Sequence, residues 1–213
     1  MIQIRQLKFG YPESSFRLNI PELEIQDAEK VAVIGPSGCG RTTLLNLISG
    51  ILIPDQGELT SGDVDLRKLN DSQRRAYRIS QIGFVFQEFE LIDYLNVREN
   101  ILLPYYINQT LKLDESVQAR ARDLAASMQI EQYLNSRIDQ ISQGERQRVA
   151  ICRALLTQPQ ILLADEPTGN LDPVNKRLIR DLLLEHATRT NAILIMVTHD
   201  DRLLDEFDRT IDI

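Results

Sequence analysis

Cysteine is scarce in this chain of 213 residues. Cys39 and Cys152 are the two there are, so a disulfide framework is excluded and reduced thiols are expected, with Cys39 filling a small position in a loop. Long apolar runs are missing as well. None reaches the roughly 18 residues that a membrane span requires, and the first residues do not read as a signal peptide. Basic residues are outnumbered, 24 Lys and Arg against 31 Asp and Glu, and the formal net charge of -7 argues against a nucleic-acid partner. Repeats, low-complexity tracts and linkers are absent, and no regulatory tail is expected beyond Arg209 to Ile213. The length suffices for a substantial core, either as one domain or as a core with a subdomain.

Along the chain, strands come first and alternation follows. Ile2 to Phe9 and Phe16 to Ile25 alternate apolar and polar residues, which predicts half-buried antiparallel strands. Ile79 to Gln87 (ISQIGFVFQ) predicts a strand closing on a glutamine. From Val97 to Leu156 the pattern is helical. Its clearest stretch is Asp114 to Met128, where Asp114 caps and Val117, Ala121, Leu124 and Met128 follow at helical spacing. Strands at Ile161 to Asp165 and Ala192 to Thr198 enclose a helix from Pro173 to about Ala187. This order predicts an α/β fold with a mainly parallel sheet flanked by helices, an N-terminal antiparallel β region and an inserted helical subdomain. The core covers residues 1–88 and 158–213, and the helical part about 89–157.

Two stretches carry chemistry. Val31 to Thr43 (VAVIGPSGCGRTT) runs from an apolar strand through a glycine-rich loop into a helix marked by Leu44, Leu45, Leu47 and Ile48. Gly35, Gly38 and Gly40 let backbone amides turn inward, and the helix adds its positive N-terminal end, so the loop is a nest for phosphate oxygens. Gly35 to Thr42 fits G-x-x-x-x-G-K-[ST] at every specified place but one, because Arg41 stands where lysine belongs. The second stretch, Ile141 to Asp172, holds a Ser-x-Gly-Glu turn opening a helix. After it comes the apolar run Ile161 to Ala164, which ends in Asp165 and Glu166. Carboxylates just past a buried strand lie at the carboxyl edge of a parallel sheet, where ligands bind in open α/β folds. Side by side, they call for a cation to neutralise one while chemistry uses the other.

Taken together, these motifs resemble the ATP-binding subunit of an ATP-binding cassette transporter, a P-loop NTPase fold, over nearly the whole chain. GFVFQEFELI, the segment Glu99 to Pro104 and LADEPTGNLD are similar to the branch serving lipoprotein release and macrolide export. The resemblance implies roles for individual residues. Tyr11 stacks on adenine, and Gly35, Pro36, Ser37, Gly38, Cys39, Gly40, Arg41, Thr42 and Thr43 surround the phosphates of ATP. Thr42, Asp165 and Gln87 serve Mg²⁺; Glu166 is the general base for the attacking water, Gln87 senses the γ-phosphate, and His199 touches it. Ser142, Gln143, Gly144 and Glu145 resemble the Leu-Ser-Gly-Gly-Gln signature, which completes the site of a second copy in a head-to-tail dimer. Asn170, Leu171 and Asp172 resemble the loop crossing that interface. Phe89 to Tyr106 falls where the family receives a short helix from a separately encoded membrane permease, with most of its apolar side chains expected in the core. His186, in the charged stretch LLEHATR, is expected at the surface.

Three departures from the family's motifs are present. Glu145 for the signature's glutamine is familiar in this branch, and the other two qualify the resemblance. Gln143 replaces a glycine in the signature, and Arg41 replaces the compact lysine ammonium with a wider planar fork. Losing one well-aimed donor raises a barrier by roughly 3 kcal/mol, about a hundredfold in rate, so slow hydrolysis is expected. Two other readings stay open at this point: a soluble cassette ATPase of DNA repair or translation, although neither a long coiled coil nor a second cassette is present, and a nucleotide-binding module with little turnover.

Overall fold

The computed structural model describes residues 1–213 apart from Gln109 and Asn170, so the expectation placed on Asn170 lies outside the described residues. Strands β1 (Ile2–Gly10) and β2 (Arg17–Ile25) form the expected antiparallel pair. They extend through β4 (Gln56–Ser61) and β5 (Val64–Asp65) into a four-stranded sheet of order β2-β1-β4-β5. Pro21, which has no N–H to give a ladder, is tolerated because β2 is an edge strand.

The second sheet is parallel throughout, in the order β6-β7-β8-β3-β9: β3 (Lys30–Ile34), β6 (Ile82–Val85), β7 (Ile161–Asp165), β8 (Ile193–Val197) and β9 (Arg209–Asp212). Residues of β7 and β8 are buried on both faces. Leu162, Ala164, Leu194 and Met196 join one apolar cluster, with α3 (Val97–Ile107), α4 (Glu115–Ser127), α5 (Gln143–Leu156) and α6 (Pro173–Thr190). Ile161, Leu163, Ile193, Ile195 and Val197 join the other, with the antiparallel sheet and α1 (Arg41–Ile48). Alternate residues thus serve two cores, which explains why these strands read as continuous apolar runs.

One boundary differs from expectation. Ile79 to Gln81 end a helix, α2 (Asp71–Gln81), and β6 starts at Ile82. Asn70 and Gln73 form a reciprocal capping box that starts α2, and Arg78 near its end donates to the Gly50 carbonyl. Asp114 caps α4 as expected, accepting from the Val117 amide at 3.0 Å.

His186 is the second correction: it is buried rather than superficial. On the eighteen-residue α6 it shares the inward face with Ile179, Leu183 and Ala187. Arg189 Nη2 lies 3.3 Å from its Nδ1. A guanidinium only donates, so Nε2 carries the imidazole hydrogen, and that atom is buried without a partner among the described residues. Burial and the neighbouring Arg189 charge push the His186 pKa down to about 4 from 6.5. A base depressed in the fold is protonated more readily when unfolded. Its neutral form therefore supports the fold above pH 6.5, and that support falls away as pH drops toward 4. The loss expected across this window is about 3 kcal/mol. In urea unfolding at a series of pH values, His186→Leu should flatten the slope between pH 4 and 6.5; an unchanged slope would show that other groups cause it.

Candidate functional site

Strand β3 delivers the chain to the sheet's carboxyl edge, where the glycine-rich loop turns back into α1. Gly38 has φ +80°, and a side chain there would meet no atom within 4 Å, so its backbone faces open space. Gly40, the N-cap of α1, has φ +117° and provides no side-chain cap. The amides at the start of α1 are therefore left for an external acceptor, as an anion nest requires. Leu44, Leu45, Leu47 and Ile48 are fully buried and anchor the helix against the sheet. Beside the loop, Tyr11 packs edge-on to Phe9 and tilted on Phe16, with its hydroxyl 3.2 Å from Thr43 Oγ1.

Two strands away, Asp165 ends β7 and is 4 % exposed. Burial pushes its carboxyl above the usual range, and the adjacent Glu166 charge adds to this. A hydrogen bond from the Thr42 side chain and the Arg41 charge oppose the shift without cancelling it. Glu166 follows in a left-handed backbone conformation, φ 45°, with its amide donating to the Val197 carbonyl at 3.1 Å. Its two oxygens are both engaged: Oε2 is 2.9 Å from His199 Nδ1, and Oε1 is 3.4 Å from Arg41 Nη2. A carboxylate accepts, so His199 Nδ1 bears the hydrogen. His199 Nε2 then donates to a phosphate only as the imidazolium or after this contact breaks.

Gln87, Gln143, Gln147, Glu166, Leu171 and His199 line one cleft of about 150 Å³, together with Phe89, Pro167 and Gly169. The first residues of α5 thus lie beside Glu166, and neither Asp165 nor any residue of the glycine-rich loop lines this cleft. Ser142 and Glu145 are held in a capping box, the Ser142 amide donating to Glu145 Oε2 at 2.7 Å and its hydroxyl at 2.8 Å. Burial raises the Glu145 pKa, but hydrogen bonds from Ser142 and Tyr133 outweigh it and hold the carboxyl low. Gly144 lies near Leu171. Asp172 caps α6, accepting from the amides of Val174 and Asn175.

Sequence reasoning missed two residues of α5. Gln147 is buried, its amide nitrogen has no partner among the described residues, and it lines the cleft. Arg153 is buried too. Its Nη2 donates to the Phe89 carbonyl at 2.5 Å and its Nη1 to that of Glu90. Phe89 and Glu90 both have positive φ, so this guanidinium braces a strained turn just after Gln87. Burial lowers its pKa to about 10, which leaves it cationic at neutral pH. The available signal was a lone cation inside the apolar stretch Val149 to Leu156, where a buried Arg needs acceptors. Phe89 to Tyr106 also differs from expectation. Val97, Ile101 and Leu102 are core, Tyr94 and Tyr106 are exposed, and most other apolar members are half-buried.

Among the described residues there is no cluster of three or more His, Cys, Asp or Glu able to hold a metal alone. One buried carboxylate beside a threonine hydroxyl suits Mg²⁺, which takes few protein ligands and completes its shell with phosphate oxygens and water. A phosphate nest, a buried acid of raised pKa and a second acid paired with histidine together define a P-loop nucleotide-binding site at the edge of a parallel sheet.

Residues 18–169 match the ABC transporter family. The "Lipoprotein-releasing system ATP-binding protein LolD" of Legionella pneumophila (strain Paris) is 40% identical over 210 residues, 97% of this chain and 92% of that protein. The "Uncharacterized ABC transporter ATP-binding protein YvcR" of Bacillus subtilis (strain 168) is 41% identical over 84% of this chain and 68% of its own length. Among solved structures, the dimeric ATP-binding cassette MJ0796, in a post-hydrolysis state bound to ADP and Pi, superposes with a TM-score of 0.92. It is 32% identical, and the match covers 100% of this chain and 94% of that one. The chain belongs to the ABC transporter family.

Proposed function

We propose that this chain is the energising subunit of a membrane exporter or extractor and hydrolyses Mg-ATP as a head-to-tail dimer of two copies. The observation that carries the reading is the convergence of the Gly35–Thr43 nest with Asp165, Glu166 and His199 at one sheet edge. In this assignment Tyr11 takes the adenine, and the amides of the nest take the phosphates. Thr42, Asp165 and Gln87 would hold Mg²⁺, which supplies charge neutralisation to the transferring phosphoryl group. Glu166 accepts the proton of the attacking water while His199 steadies the γ-phosphate. Ser142 to Glu145 serve the nucleotide of the other copy, with Leu171 and Asp172 at the crossing. Arg41 retains the positive charge but aims a planar fork where a point charge fits, so turnover is slow. Arg41→Lys should therefore raise the ATPase rate, by up to about a hundredfold. Equal rates in a phosphate-release assay would remove the idea, and zero heat on titrating either protein with ATP would remove the whole reading.

Among the described residues no helix is long and apolar enough to cross a membrane. Attachment to the cytoplasmic face therefore rests on a permease. An apolar groove of about 280 Å³ between the core and residues 89–157, the proposed helical subdomain, offers the seat; Ile79, Phe84, Phe86, Leu103, Pro104 and Ile107 line it. Arg153 lies on its wall and braces the turn after Gln87, which ties occupancy of the groove to the nucleotide site. Ile107 is 64% exposed. Ile107→Asp should abolish stimulation by the co-purified permease and leave the rate of the isolated chain within about twofold; full stimulation would move the docking site elsewhere. The names of several relatives refer to lipoprotein release, which makes a lipoprotein-extracting permease the first partner to seek.

A further inference from the structure

We propose that Arg41 is a positioning residue for Glu166: without nucleotide it holds the carboxylate, and only a γ-phosphate draws the guanidinium away and frees the base. This rests on the Mg-ATP reading above. Arg41 Nη2 stands 3.4 Å from Glu166 Oε1, and the two side chains are only 12% and 17% exposed. Water screens such a pair less than an open surface pair. With His199 on Oε2, each oxygen of Glu166 already faces one N–H group of the protein.

The second observation concerns the other half of the same guanidinium. Nη1 is buried and has no hydrogen-bond partner among the described residues. A buried charged donor is left unmatched only at a cost, and this one belongs to the first residue of α1, where the helix amides also await an anion. The fork is therefore ion-paired with Glu166 through one nitrogen, while the other is left for a second acceptor. A phosphate oxygen set, carrying more charge than one carboxylate and able to accept from both nitrogens, satisfies both halves at once. Lysine presents a single point of charge and cannot divide it in this way. Of the two adenine nucleotides, ATP carries the γ-phosphate and ADP does not, so the exchange discriminates between them. Glu166 is released when substrate arrives and is held again after phosphate leaves.

The test is a double-mutant cycle read by nucleotide affinity. The chain, Arg41→Lys, Glu166→Gln and the double variant are titrated calorimetrically with ATP and with ADP. Magnesium is omitted to prevent turnover, and the protein is kept at a concentration where sedimentation gives a monomer. Removing the competing carboxylate should tighten ATP by about tenfold when Arg41 is present and by less than about twofold in the Arg41→Lys background. ADP affinity should move by less than about twofold throughout. Equal gains in both backgrounds, or a gain shared by ADP, would overturn the latch and leave the Mg-ATP reading standing. Absence of ATP binding both here and in a parallel titration with magnesium present would overturn both.

Discussion

Glu166→Gln is expected to lower ATP turnover by about two to four orders of magnitude with ATP binding retained. The substitution is nearly isosteric. The amide of residue 166 keeps its bond to the Val197 carbonyl, and the left-handed backbone at φ 45° is held by the surrounding turn rather than by the carboxylate. A carboxamide can accept a hydrogen bond from His199, but it cannot take a proton from water at neutral pH. The lost step is therefore proton acceptance, which a reduced kcat reports directly. With hydrolysis slowed, two copies and two nucleotides should stay together, so ATP should shift the variant to a dimer in size-exclusion chromatography. Steady-state phosphate release and gel elution with ATP or ADP measure both effects. Residual turnover within about threefold of the starting chain would assign the base to another group.

The parts of this site that were legible in the sequence are those where backbone geometry and chemistry demand the same residues. Continuous apolar strands followed at once by Gly35-x-x-Gly38 or by Asp165-Glu166 mark the carboxyl edge of a buried parallel sheet, because both faces of β3 and β7 are covered. Alternation in β1 and β2 was equally plain, since one face of that sheet is solvated. The start of β6 was not legible. The segment ISQIGF runs from the end of α2 into a strand without glycine or proline between them, and the informative signal lay upstream in the Asn70–Gln73 capping box. His186 misled because Glu185, Thr188 and Arg189 make the stretch around it read as charged, whereas burial on a long helix depends on residues three and four away. The partners of Arg41 were invisible for a similar reason. Its identity was plain as a departure from lysine, but its contact with Glu166 spans 125 positions and exists only in the folded chain. Gln147 and Arg153 share that limitation: each is defined by acceptors or by a cleft brought in from distant segments.

Asp165→Asn should make the nucleotide-free chain more stable and the enzyme far slower. At the end of β7 the carboxylate is almost entirely enclosed, and burial, with the Glu166 charge behind it, raises its pKa above the usual carboxylate range. The sign follows from linkage. A group whose pKa is higher in the fold binds its proton more tightly there, so its contribution is favourable below the unfolded value and is lost as pH rises through the folded one. At neutral pH the ionised side chain therefore weakens the empty protein. Asparagine keeps the shape and can still accept from Thr42 while carrying no charge. The resulting gain in stability raises the unfolding midpoint, by about 2–4 °C for each kcal/mol in a chain of this size. The gain should shrink as pH is lowered, because the native carboxyl is then neutral too. Turnover should fall by about a hundredfold or more, because in the proposed site a neutral amide offers Mg²⁺ an oxygen but not the negative charge that the carboxylate supplies. Calorimetric melting at several pH values and a Mg²⁺ titration of the rate read the two halves separately. A lower midpoint, or a rate within a few-fold of the starting chain, would mean that Asp165 supports the fold and not the metal.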